Sequence, residues 1–188
     1  TTELYPLSIH DALPISLALY RKHPEVTTSV DIANTLNDQG INYNTMGKYE
    51  DADQCYTEAI ILYRETSQGS TSVEICVAKT LADQGINYNA MGKYENADRC
   101  FTEALDIYRK HPEAATSVEI ATTLTNQGIN YNAMRRNKNA DHCYTEALAV
   151  YRELSEVAYC VDIANTLNNQ GILDRKSTRL NSSHVKRS

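Results

Sequence analysis

The chain has 188 residues, a net charge of −6 and a sequence pI near 5.4, a balance that argues against nucleic acid as a principal partner. No run approaches the roughly 20 apolar residues of a membrane span, and the N-terminus lacks the basic start and apolar core of a secretory signal, so a cytoplasmic protein without membrane partners is expected. Thirteen tyrosines against one phenylalanine and no tryptophan point to a short motif copied several times.

In chain order, Leu17-Ala18-Leu19-Tyr20-Arg21 reads as the end of a helix. The tetrad Gln-Gly-Ile-Asn then recurs at Gln39, Gln84 and Gln127, and Gln170-Gly171-Ile172 opens a fourth copy, at spacings of 45, 43 and 43. Self-similarity at such a period marks a helical repeat array. The repeats are expected at about 29–71, 72–116 and 117–160, with partial copies on either side within 17–173.

Each copy holds two helical patterns. The first runs from Ser29 to Met46, with Ile32, Leu36, Gly40 and Tyr43 on one face. The second runs from Tyr49 to Arg64, with a stripe of Tyr49, Ala52, Tyr56, Ala59 and Tyr63. Met46-Gly47-Lys48 makes the tight link, where Gly47 can turn left-handed. Thr71 to Glu74 and Thr116 to Glu119 read as capping boxes, and Thr28 with Asp31 as a weaker one. The fourth copy, with Tyr159 and Asp162, loses its cap. Gly40, Gly85, Gly128 and Gly171 sit mid-helix, where glycine costs about 1 kcal/mol relative to alanine. The expected compensation is close approach of the partner helix, with Ala52 and Ala59 opposite.

These positions resemble the tetratricopeptide repeat family. The first copy supplies Leu36, Gly40, Tyr43, Ala52, Tyr56 and Ala59. The second supplies Leu81, Gly85, Tyr88, Ala97, Phe101 and Ala104, and the third Leu124, Gly128, Tyr131, Ala140, Tyr144 and Ala147. The period, longer than the family's usual one, resembles the kinesin light chain type, as does His-Pro-Glu at His23 and His111. The resemblance covers residues 17–173. It implies an all-α fold of tandem antiparallel helix hairpins stacked into a right-handed α-solenoid. It also implies a non-enzymatic scaffold for a peptide or protein partner, with the first helices lining a concave groove. The groove residues it implies are Asn34, Asn37, Ile41 and Asn44, then Lys79, Ile86 and Asn89, then Thr122, Thr125, Ile129 and Asn132, with Asn168 from the fourth copy. Asparagine amides can both donate to and accept from an extended backbone. Asp38 and Asp83, near the rim, favour a neutral or basic partner. Lys79 stands alone, so the lysine clamp of some relatives is absent. Alternatives are a regulatory or sensor region of a larger signalling ATPase, and an architectural spacer.

Two departures matter. Where the family has leucine before the glycine, this chain has Gln39, Gln84, Gln127 and Gln170, and Asn42, Asn87 and Asn130 follow on the same face. If buried, these amides need partners, and a polar ladder between successive first helices is expected. The third copy also replaces Gly-Lys-Tyr by Arg135-Arg136-Asn137, predicting a less well packed turn.

No catalytic motif appears, and neither metal nor cofactor is expected. Cys55, Cys100 and Cys143 hold one repeat position and read as small buried residues in a reducing compartment. Glu58, Glu103 and Glu146 read as a solvated helix face, and His142 as an exposed slot.

Both ends break the repeat. Residues 174–184 match the translation of a common sequencing-library adapter throughout, and Leu7 to Ile15 match the opposite adapter except at Ile9. This resemblance implies that 1–16 and 174–188 are non-native, adapter-derived ends. The basic residues near the C-terminus are then no targeting or nucleic-acid patch, and the repeat segment is internal to a longer array whose flanks expose apolar surface.

Overall fold

The computed structural model describes residues 28–66, 69–154 and 161–172, and every regular element among them is helical. These are α1 (Ser29–Thr45), α2 (Tyr49–Thr66), α3 (Thr71–Ala90), α4 (Tyr94–Lys110), α5 (Ser117–Ala133) and α6 (Asn137–Glu153), followed by α7 over residues 161–172. The expectations for both chain ends, for residues 17–25 and for Tyr159 and Cys160 fall outside the described residues. The chain divides into two compact units, Thr1–Gly92 and Lys93–Ser188.

In the first unit, α1 and α2 form an antiparallel hairpin. Gly40 faces Tyr56 near the turn, and Asn34 meets Tyr63 at the far end. The link is a Schellman motif: Gly47 N–H donates to Asn44 C=O at 2.9 Å and Lys48 N–H to Tyr43 C=O at 2.9 Å, with Gly47 at φ +73°. Beyond it the Lys48 ammonium sits 5.6 Å from the Tyr43 ring centroid. α3 then packs antiparallel along α2, so that Leu36, Ala52, Tyr56, Ala59, Tyr63, Ile75 and Leu81 are all buried.

The second unit repeats the plan. α5 and α6 pair through Gly128 with Tyr144 and Thr122 with Tyr151. Leu105 of α4, Ala121 and Leu124 of α5, and Ala147 and Tyr151 of α6 form one core cluster, and Ile163 of α7 packs on it. Neither stripe of a hairpin is covered by its partner helix alone; the neighbouring hairpin's helix completes the burial.

Gly40 and Gly128 make room for a ring rather than for the alanines expected opposite. A Cβ on Gly40 would lie 2.6 Å from Tyr56 Cε1, and one on Gly128 would lie 2.4 Å from Tyr144 Cε1. Both rings are buried, which fixes them in place.

Helix starts correct the capping expectation. The weaker candidate, Thr28 with Asp31, forms a full box, as does Thr116 with Glu119. Its hydrogen bonds hold the Asp31 carboxyl below the usual range. The Thr71–Glu74 box does not form. α3 begins one residue earlier, with Ser70 as N-cap after Gly69 at φ +83°, and Ser70 Oγ lies 3.0 Å from Ser72 Oγ instead.

The third turn keeps the same Schellman bonds, Arg135 N–H to Asn132 C=O at 3.0 Å and Arg136 N–H to Tyr131 C=O at 2.8 Å. Arg135 is forced to φ +60° where the other copies have glycine. The turn thus keeps its hydrogen bonds but holds a non-glycine residue in the left-handed region.

Candidate functional site

The recurring glutamines and asparagines are structural clasps. Gln84 Nε2 donates to Asp53 Oδ1 at 2.8 Å and Thr57 Oγ1 at 3.1 Å. Gln127 Nε2 makes the same pair with Asp98 at 3.1 Å and Thr102 at 3.1 Å, and Gln170 with Asp141 at 2.7 Å and Thr145 at 3.3 Å. Asn87 donates to Tyr49 C=O at 2.9 Å, and Asn130 to Tyr94 C=O at 3.0 Å. From α3, α5 and α7 the glutamine ladder therefore runs back to the second helix before each, not between successive first helices, whereas in α1 Gln39 donates to the Tyr43 hydroxyl and Asn42 to Asp38 C=O of the same helix. The reason is register: the glutamine faces the same side as the buried leucine stripe, and that side looks onto the preceding second helix. Successive first helices are also linked directly, by Asn44 Nδ2 donating to Asn87 Oδ1 at 2.9 Å, by Asn37 with Asp83, and by Thr125 and Thr166, whose hydroxyls lie 3.3 Å apart.

Sequence reasoning missed the acceptors Asp53, Asp98 and Asp141 and the threonines Thr57, Thr102 and Thr145, although each recurs in phase with its glutamine. It also passed over Thr35, Thr80, Thr123 and Thr166. These sit in the core and return their hydroxyls to the carbonyl four residues back, at 2.7–3.0 Å.

The side chains expected to line a groove divide into two groups. In the first unit Ile41 and Ile86 are exposed on α1 and α3, as are Asn34 and Lys79, while Asn37, Asn44 and Asn89 are half-buried. Several are already engaged. Asn34 Oδ1 accepts from the Tyr63 hydroxyl, Asn44 is spent on Asn87, and Asn37 hydrogen-bonds the carboxyl of Asp83. Burial, with the neighbouring charge of Asp38, pushes Asp83 up to about 6 against that hydrogen bond, and burial raises Asp38 as well.

In the second unit the structure brings four of the expected residues together. Thr122, Thr125 and Ile129 of α5 and Asn168 of α7 line one cleft of about 350 Å³, with Asn165 and Asp162 at its edge. Thr122 is held by the Tyr151 hydroxyl at 3.1 Å, and Thr125 lies 3.3 Å from Thr166 Oγ1. Asn132, half-buried one turn further along α5, stands outside the cleft lining. The floor offers hydroxyls and one isoleucine, and the rim offers amides. Such a lining can bind an extended chain through its backbone but presents no nucleophile–base pair.

Among the described residues no group of three His, Cys, Asp or Glu side chains is placed to hold a metal, and no helix is long and apolar enough to cross a membrane. Cys55, Cys100 and Cys143 are buried thiols and Cys76 a half-buried one, none of the four in a disulfide, and burial pushes the Cys143 thiol up to about 11, so it is no activated nucleophile.

Paired helices clasped to their neighbours at a fixed repeat define a helical-repeat scaffold, a class whose members work by presenting surfaces. Residues 31–110 match the model of the tetratricopeptide repeat family. Solved structures share the fold. BtubC (BKLC) from P. vanneervenii superimposes with a TM-score of 0.75 at 18% identity, covering 93% of this chain and 70% of that one. The apo form of RapI gives 0.73 at 19%, covering 93% of this chain but only 46% of RapI. MamA gives 0.53 at 14%, covering 95% and 99%. At these identities the likeness is one of fold. No curated protein matches the sequence.

Proposed function

We propose that the first helices of this scaffold bind extended peptide segments of a partner protein, on the face that carries Ile41 and Ile86 within the first unit and on the face of α5 that carries Ile129 within the second. The observation that carries this reading is the cleft between α5 and α7, where Thr122, Thr125, Ile129 and Asn168 converge on one space of about 350 Å³. An exposed isoleucine at the same register of each copy gives apolar contact at a repeat spacing. The amides and hydroxyls around it supply sequence-tolerant hydrogen bonds. In the first unit Asp38 and Asp83 favour a partner that is neutral or basic at this point. The buried thiols, none in a disulfide, fit a reducing, cytoplasmic setting, and the repeat period fits the kinesin light chain type.

The test is a peptide array probed with the intact chain and with an Ile129→Glu variant. A charge placed in the cleft should abolish binding of the peptides the parent chain selects while leaving helical content unchanged. Retention of the same peptides by the variant would remove the cleft from the binding face. Alanine at Asn37, Asn89 and Asn132 together separates a binding groove from an architectural spacer, because only the former loses affinity.

A further inference from the structure

A second cleft, of about 400 Å³, opens on the other side of α5, between α4 and α6. Its apolar lining includes Leu105 of α4 and Leu124 of α5, and Arg109, Lys138 and His142 stand at its edge. The one acid of its lining, Glu146, and Asp98 next to the lining residues Gln127 and Tyr131 are already engaged. Asp98 accepts from Gln127 at 3.1 Å and from the Tyr131 hydroxyl, and lies 4.0 Å from the Arg136 guanidinium. Glu146 accepts from Arg109 at 2.8 Å and lies 3.9 Å from His142.

The residues that begin α6 set this cleft apart from the rest of an acidic chain. Where the earlier copies read Gly47-Lys48-Tyr49-Glu50 and Gly92-Lys93-Tyr94-Glu95, the third reads Arg135-Arg136-Asn137-Lys138. A carboxylate has become an ammonium at the cleft's edge, and α6 alone of α2, α4 and α6 has no acid in its first turn. Arg135 also occupies a left-handed conformation that both other copies give to glycine. A left-handed non-glycine residue present in one copy only, in the turn three residues before the cleft-lining Lys138, is the pattern of a local feature rather than of a generic turn.

We infer that this cleft docks an acidic segment of a partner protein, with carboxylates against Lys138 of its lining and against Arg135 and Arg136 of the turn just before it. Charge complementarity of this kind sets specificity and encounter rate, and it weakens with salt. The site lies apart from the cleft of Thr122 and Ile129, so it stands or falls independently of the peptide groove.

The experiment is fluorescence anisotropy with the intact chain. The probes are a labelled peptide of repeating Glu-Glu-Leu, its Lys-Lys-Leu counterpart and a short single-stranded oligothymidine. The central variant restores the second copy's turn by Arg135→Gly, Arg136→Lys, Asn137→Tyr and Lys138→Glu together. This exchange returns glycine to the left-handed position, and circular dichroism with thermal melting checks its fold. Lys138→Glu alone provides a second, minimal variant. The acidic peptide should bind the parent chain, lose roughly tenfold or more in affinity to the four-residue variant and several-fold to Lys138→Glu, and weaken steeply as salt is added. Ile129→Glu should leave this binding unchanged. The inference is overturned if the acidic peptide fails to bind at low salt, if Lys138→Glu binds it as well as the parent, or if the lysine peptide or the oligonucleotide binds equally tightly.

Discussion

The ring of Tyr56 occupies the space in which a side chain on Gly40 would have to stand, with Cε1 only 2.6 Å from the position of a Cβ. The pairing of α1 with α2 is therefore set by a missing group on one helix and a buried ring on the other. Gly128 and Tyr144 repeat the relationship in the second unit.

Gly40→Ala should consequently destabilise the first unit, although alanine is the better helix former. The steric cost of overpacking against a fixed ring exceeds the propensity gain, for a net loss of about 1–3 kcal/mol. Urea denaturation measures it. Combining it with Tyr56→Leu should recover part of the loss, and strict additivity of the two would show that the residues do not meet.

Arg135→Gly should act in the opposite direction. Relieving φ +60° at a non-glycine residue should raise stability by about 0.5–1 kcal/mol. The same denaturation experiment reads the gain, and no change would mean that the left-handed turn carries no strain.

Gln127→Leu restores the family's usual residue but removes the donor held by Asp98 and Thr102. A charge-assisted bond is lost and a half-buried carboxylate left short of a partner, so stability should fall by about 1–2 kcal/mol. A double-mutant cycle with Thr102→Val, which keeps the carboxylate, should show coupling across the α4–α5 contact.

Asp83 gives a pH signature. Its carboxyl is pushed from 3.8 up to about 6 in the folded chain, so between those values the folded state binds the proton more avidly than the unfolded chain does. The stabilisation from this group is present at the acid end of the window, declines as pH rises through it and is flat above. Asp83→Asn, the residue type that Asn126 and Asn169 place at the same repeat position, should therefore stabilise by about 1–2 kcal/mol at pH 7, after allowance for partial exposure, and by much less at pH 4. An advantage that is the same at both pH values would contradict this account.

Residues 1–16 and 174–188, expected from sequence to be adapter-derived, are proposed to be dispensable. A chain of residues 17–173 should keep the helical signal and melting midpoint of the full chain, and a large loss of either would count against that assignment.

The helices were legible because their apolar stripes recur at helical spacing in every copy. Gly40 was legible as a contact point, but not its partner. Which side chain enters the gap depends on the crossing geometry of two helices, and Tyr56 lies on the same stripe as Ala52 and Ala59. The glutamines were legible as buried amides, yet their acceptors lie on the preceding second helix, a neighbour that periodicity within one copy does not reveal. The α3 cap failed for a local reason, since the turn at Gly69 shifts the start by one residue. The cleft lined by Arg109 and Lys138 was invisible because it requires three helices at once, and its sequence trace at Arg135 to Lys138 reads on its own only as a damaged turn.

The most direct test of the scaffold reading is to select binders for the intact chain from a random peptide library and map the best one by amide chemical-shift perturbation. The account predicts shifts concentrated on Thr125, Ile129 and Asn168, the residues of α5 and α7 that face the cleft, with competition abolished by Ile129→Glu. Shifts confined to α4 and α6, with those residues undisturbed, would contradict it.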